Sequence, residues 1–167
     1  MTAAVTIDGG ILVYQQFKKS KSDIKLFDIA SRTRINPPGG VNTKKNWEYW
    51  PTISGNRILY GRLMDNRARK LILFDMSDGS RKVLDSTTSP DAFLAPGQIS
   101  GNYAVWHKCP AKGPCDVFRH EISTGTTDQL PNPNDRYLRA ASVGPGGTGE
   151  PCGSRTYFLA APLSKSA

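Results

Sequence analysis

Between positions 106 and 121 the chain reads Trp-His-Lys-Cys-Pro-Ala-Lys-Gly-Pro-Cys-Asp-Val-Phe-Arg-His-Glu, a stretch that holds both of its histidines and two of its three cysteines. His107, Cys109, Cys115 and His120 are the ligand types that zinc takes. The spacing argues against that use, because Cys109 and Cys115 enclose five residues, whereas common zinc patterns enclose two to four. Hairpin geometry argues against it as well. With Cys109 opposite Cys115, His107 faces Val117 and Ala104 faces His120. Side chains alternate between the two faces of a strand. His107, Cys109 and Cys115 then share one face and His120 takes the other, so a four-ligand site fails. The same register brings the cysteines to disulfide distance, pinning the loop Pro-Ala-Lys-Gly-Pro. The Cys109–Cys115 disulfide is the preferred reading, ahead of two free thiols and of a metal. Cys152 is left odd near the C-terminal end.

Other chemistry is sparse. There is no Gly-x-Ser-x-Gly elbow, no His-Glu-x-x-His and no phosphate-binding glycine loop between a strand and a helix. His120 beside Glu121 looks like an acid–base pair only in print, since neighbours on a strand point to opposite faces. Asp23, Asp28, Asp75, Asp116 and Glu121 lack the dense spacing of a calcium loop. They read better as turn formers, whose carboxylates accept from the backbone two residues on. No catalytic residue, metal ligand or cofactor is expected.

The elements that must carry these residues are written in a repeat. Ile53-Ser54-Gly55-Asn56 returns 46 residues later as Ile99-Ser100-Gly101-Asn102, and stepping back by the same interval reaches Ile7-Asp8-Gly9-Gly10. Each has glycine at the third place, where a tight reversal calls for positive φ. After each turn comes a β-rich run (ILVYQQF, RILYGRL, YAVWHKC), then a polar loop and a further apolar strand (DIKLFDI, KLILFDM, CDVFRHEI). An acidic residue, an apolar residue and small turn-formers follow at Asp28, Asp75 and Glu121, leading into outer strands RTRINP, SRKVLDS and TTDQLPN. No segment shows a sustained helical period. Four strands, A to D, at a period of 40 to 50 residues are the mark of a β-propeller blade.

The phrase Tyr49-Trp50-Pro51-Thr52-Ile53-Ser54-Gly55-Asn56-Arg57-Ile58-Leu59-Tyr60, followed by Leu73-Phe74-Asp75-Met76-Ser77-Asp78-Gly79, resembles the TolB-like six-bladed propeller repeats of bacterial secreted and periplasmic proteins. The likeness covers roughly residues 5 to 132 and is strongest in the middle unit. It departs from the pattern at Arg119-His120-Glu121. The expected fold is all-β, with blades of four antiparallel strands in an incomplete ring: blades at about 1–40, 46–89 and 93–132 within residues 1–138, then a degenerate or truncated fourth blade and irregular tail over 139–167. The resemblance implies an extracellular or periplasmic protein, although no signal peptide is legible in this chain.

At this period 167 residues make about three and a half blades, whereas closed propellers have roughly four to eight. A truncated piece of a longer ring is the first reading, favoured by the abrupt start and the missing export signal. A half-ring that dimerises and a compact four-blade ring are the alternatives. The net charge of +8 raises nucleic-acid binding. Yet Lys18, Lys19, Lys21, Lys25, Lys44, Lys45, Arg62, Arg67, Arg69, Lys70, Arg81 and Lys82 are spread over loops and strand ends, without the aromatic stripe such binding uses. No specific nucleic-acid partner and no membrane span is expected.

Function on such a scaffold sits in loops at the rim or channel mouth. Tyr60, Trp106 and Trp50 read as packing residues. Trp47 and Tyr49, just before strand A of the second unit, are the candidates for a binding surface, with packing as the competing reading. The expected role is a non-catalytic binding or interaction module with a protein partner first, a peptide or carbohydrate second, and a homodimer if the half-ring is genuine. The alternatives are an accessory propeller of a peptidase or hydrolase, as the prolyl-oligopeptidase group carries, and a nonfunctional truncated product.

Overall fold

The computed structural model describes residues 5–19 and 21–131, and the backbone of strands 137–143 and 156–161. Its strands form three four-stranded antiparallel sheets and one of two strands. The first sheet is β1 (Val5–Asp8), β2 (Ile11–Phe17), β3 (Ser22–Asp28) and β4 (Thr33–Ile35). The second is β5 (Trp47–Ser54), β6 (Arg57–Leu63), β7 (Arg69–Asp75) and β8 (Arg81–Thr87). The third is β9 (Phe93–Ser100), β10 (Tyr103–Cys109), β11 (Asp116–Glu121) and β12 (Thr127–Gln129). β13 (Tyr137–Val143) pairs with β14 (Thr156–Ala161), and β13 packs beside β9, β10 and β11. Among the described residues there is no helix. Each large sheet runs in simple sequence order, an up-and-down meander in which β1, β5 and β9 are the inner strands A of an open propeller arc.

The glycines of the repeat do what their spacing requires. Gly9, Gly55 and Gly101 all turn at positive φ, between 53° and 55°. The residue before each of the first two glycines has a second role. The Asp8 carboxylate accepts from the N–H of Gly55, and Ser54 Oγ accepts from the N–H of Gly101 at 3.0 Å. The Ile-Ser-Gly-Asn phrase therefore reverses its own blade and ties the next one on. At the other turn, Asp28 Oδ1 accepts from Ser31 N and Ala30 N, and Asp75 Oδ1 from the Ser77 hydroxyl and N–H. Ser31 and Ser77, each through side chain first and backbone second, hold the two carboxyls below the ordinary range.

Packing explains why the middle blade is apolar on successive residues at Ile58–Tyr60 of β6 and Leu71–Phe74 of β7. Ile58, Tyr60, Ile72 and Phe74 face the first blade, where they meet Val13, Ile24, Leu26 and Val41. The alternate residues Leu59, Leu71 and Leu73 face the third blade and meet Leu94, Ile99, Ala104 and Trp106. A sheet covered on both faces has no wet side to mark with polar residues. The first blade differs. Val13, Gln15, Ile24 and Leu26 are buried, while the opposite face, Val5, Ile7, Leu12, Tyr14 and Phe27, is exposed or half-buried.

One basic residue departs from the solvated reading. Arg62 is buried, with Nε 2.9 Å from Glu48 Oε1, while Nη2 donates to the carbonyls of Gly40 and Val41. Thr43 Oγ1 also donates to Glu48 Oε1, and Ser22 Oγ donates to the Glu48 backbone carbonyl. Burial raises the Glu48 carboxyl above its usual range, outweighing Thr43 and Arg62, which pull it down. This network fastens the link between the first two blades to the inside of the second.

Candidate binding site at the channel mouth

The inner strands converge at the edge where each strand A begins and each strand B ends. There the blades leave a hollow of about 780 Å³, in the size range of small-molecule sites. Trp47, Tyr49, Trp50, Pro51 and Thr52 of β5 form one wall, and Phe93, Pro96 and Gly97 of β9 another. Val5, Thr6, Gln15 and Phe17 close it from the first blade, with Leu63 and Arg69 at the outer lip.

Proline helps to shape this wall. β5 slips register between Tyr49 and Thr52, and its partner pairing resumes only after Pro51. Pro lacks an N–H, so it is tolerated at bulges and edges. Trp50 takes a φ of 48° at this bulge, a left-handed conformation that non-glycine residues rarely adopt. Its N–H donates across the blades to Gln15 Oε1 at 3.3 Å, and its ring packs edge-on against Tyr49 and Phe93, with centroids 5.8 and 5.5 Å away. The result is a tryptophan turned outward, 37% exposed.

Trp47 and Tyr49 both line the hollow but stand differently in it. Trp47 is also 37% exposed. Tyr49 anchors the wall: its hydroxyl donates to the Leu94 carbonyl at 2.8 Å, and burial pushes that hydroxyl well above its usual range. Its ring lies so close over Gly61 that a Cβ there would fall 2.2 Å from it. An isolated glycine inside a strand is the sequence sign of such a close approach. Trp50, placed among the packing residues by sequence, is open to the hollow, whereas Tyr60 and Trp106 are buried. Gln15, Arg69 and Phe93 were not singled out, and a period alone does not say which residues of different blades meet.

Cys109 and Cys115 are bonded, with an Sγ–Sγ distance of 1.95 Å, and the strands beside them pair His107 with Val117 and Ala104 with His120. The bridge borders a second hollow of about 530 Å³, which shares Trp50 and Phe93 with the first and also touches His107. His120 lies away from this group. Its Nδ1 is 2.8 Å from Thr127 Oγ1 and its Nε2 is 3.5 Å from Lys82 Nζ. Burial first, and then the Lys82 charge, lower its pKa and favour the neutral ring. Among the described residues no three His, Cys, Asp or Glu side chains are placed to hold a metal.

Sheets, turns and inter-blade packing define an open β-propeller arc. In overall structure the chain is similar to a TolB-like structure from Agrobacterium tumefaciens, with a TM-score of 0.65 and 15% identity over 94% of this chain and 52% of the other. It is also similar to TolB from Acinetobacter baumannii, with a TM-score of 0.60 and 15% identity, over 100% of this chain and 42% of that one. A third likeness is to the β-propeller domain of the Trilobed protease from Pyrococcus furiosus, at a TM-score of 0.55 and 11% identity, over 84% and 45%. The chain thus spans about half the length of these structures. No protein-family model and no curated protein matches the sequence.

Proposed function

We propose that this chain is a non-catalytic binding module whose partner meets the aromatic hollow at the channel mouth. The observation that carries this is the pair of part-exposed tryptophans on the wall of the hollow, Trp47 and Trp50, the second held in place by Tyr49, Gln15 and Phe93. Buried aromatic anchors on a fixed scaffold concentrate binding energy. A protein partner is the first choice, with a peptide or carbohydrate second, in an extracellular or periplasmic setting that suits the Cys109–Cys115 bridge. The open face of the first blade supports a longer ring. Ile7, Leu12, Tyr14 and Phe27 occupy the positions at which Ile53, Ile58, Tyr60 and Phe74 are buried against a preceding blade.

The test is to immobilise the chain under oxidising conditions, offer it a periplasmic extract, and purify any retained protein for a direct binding measurement. Trp47→Ala and Trp50→Ala should each weaken the purified pair by roughly tenfold or more, with unchanged circular dichroism. Equal binding by both variants would move the interaction off the hollow. Peptidase turnover by the purified chain would overturn the non-catalytic reading.

A further inference from the structure

The hollow has an electrostatic asymmetry that its aromatic walls do not explain. Four described arginines are not fully exposed: Arg57, Arg62, Arg69 and Arg119. Three of them face a carboxylate, in the pairs Arg57–Asp75, Arg62–Glu48 and Arg119–Asp128. Arg69 does not. Its Nη1 donates to the carbonyls of Pro90 and Ala92, and its guanidinium lies 5.7 Å from the Phe93 ring centroid. Those contacts fix its position and leave its charge unneutralised, with Nε and Nη2 making no hydrogen bond among the described residues. Among the described residues no Asp or Glu lines the hollow.

One further group on the lining lacks a partner. Thr52 is 9% exposed, and its hydroxyl is buried with no hydrogen bond. The equivalent Thr6, one repeat earlier, accepts from Ile53 N at 3.2 Å. Gln15 Oε1, also on the lining, accepts from the Trp50 N–H at 3.3 Å. A buried polar group without a partner is costly unless something supplies one.

Resting on the binding reading above, we propose that this hollow is a receptor site for a small, mainly apolar ligand bearing one carboxylate. The carboxylate pairs with Arg69 and the apolar body lies against Trp47, Trp50 and Phe93. A single fixed guanidinium suits one planar carboxylate, which it can grip with two parallel N–H bonds. A phosphate dianion would ask for more than one cation. A neutral sugar would ask for more hydroxyl partners than Thr6, Thr52 and Gln15 offer.

The probe pair is 3-phenylpropionate and its neutral amide, titrated into the full chain and followed by tryptophan fluorescence and calorimetry. The acid should bind roughly tenfold or more tightly than the amide, because only the acid makes a charge-assisted bond, and its advantage should shrink as salt is raised. Arg69→Gln should abolish that preference, and Trp47→Ala should weaken both compounds. If Arg69→Gln does not fold, the acid-to-amide ratio in the unaltered chain still decides. Equal affinities would overturn the carboxylate and leave a plain apolar site. Absence of binding by either compound would overturn the small-ligand inference, while partner capture sensitive to Trp47→Ala would still stand. A retained acid preference in folded Arg69→Gln would overturn the role of Arg69.

Discussion

The first and second blades carry the same repeat yet live in different surroundings. Ile53, Ile58, Tyr60 and Phe74 are buried between blades, whereas their equivalents Ile7, Leu12, Tyr14 and Phe27 look outward, with Ile7 57% exposed. Both sets serve the same design. A blade is a sheet with two apolar faces, and what differs is whether a neighbour covers each one. The comparison separates what a blade's sequence encodes from what its position in the ring supplies.

The sharpest way to break the first junction is Glu48→Ala. It removes the counter-charge of buried Arg62 and should lower the unfolding free energy by about 3–5 kcal/mol in urea titration, the penalty of an uncompensated buried charge. Glu48→Gln, which keeps an acceptor for Arg62 and Thr43, should lose clearly less. A loss below about 1 kcal/mol for the alanine variant would mean that water reaches Arg62.

Equivalent positions give the next contrast. Ile58 is fully buried and Leu12 half-buried. Ile58→Ala should cost about 2–4 kcal/mol, and Leu12→Ala less than about 1 kcal/mol. Similar losses at both sites would show that Leu12 is covered in solution, either by a second copy of the chain or by a further blade.

Much of this architecture was legible. The glycine turns, the strand order and the hairpin register that pairs Ala104 with His120 follow from spacing and from the two-residue period of strands. The Glu48–Arg62 pair was not legible, because a charged residue in a strand looks the same whether it faces water or a buried partner 14 residues away in sequence. Asp85 hides in the same way, accepting from Trp106 Nε1 and Lys108 Nζ of the next blade. The hollow was half legible. Trp47 and Tyr49 stand out beside Pro51, but Gln15, Arg69 and Phe93 join them only because three blades turn about one axis. A repeat says which residues share a face, not which edges of different blades converge.

A smaller effect tests the turns. Gly79 and Gly125 sit at φ of 72° and 74° between strands C and D, and the equivalent residue of the first blade is Arg32, at φ 55°. A side chain in the left-handed region costs about 1–2 kcal/mol. Against that, glycine loosens the unfolded chain by about 0.5–1 kcal/mol. Arg32→Gly should therefore stabilise by about 0.5–1 kcal/mol. Gly79→Ala should destabilise by about 1 kcal/mol, purely through the backbone, because a Cβ there meets nothing within 4 Å. Thermal melts of the two variants should move in opposite directions.

The smallest effect concerns the place where the repeat breaks. His120 stands where the first two blades have Phe27 and Phe74, facing the second blade beside Lys82 and bonded to Thr127. Its folded pKa lies below the ordinary 6.5, through burial first and the Lys82 charge second. Above pH 6.5 the ring is neutral whether the chain is folded or not, and its contribution is constant. As pH falls from 6.5 toward the lowered folded value, the unfolded chain takes up a proton that the folded chain refuses, so stability is lost. Melts between pH 7.5 and 5 should show that loss in the unaltered chain and a shallower one in His120→Phe, with groups common to both cancelling in the difference. A slope unchanged by His120→Phe would mean that the ring protonates freely in place, and that the break in the repeat leaves this blade junction as tolerant of charge as water.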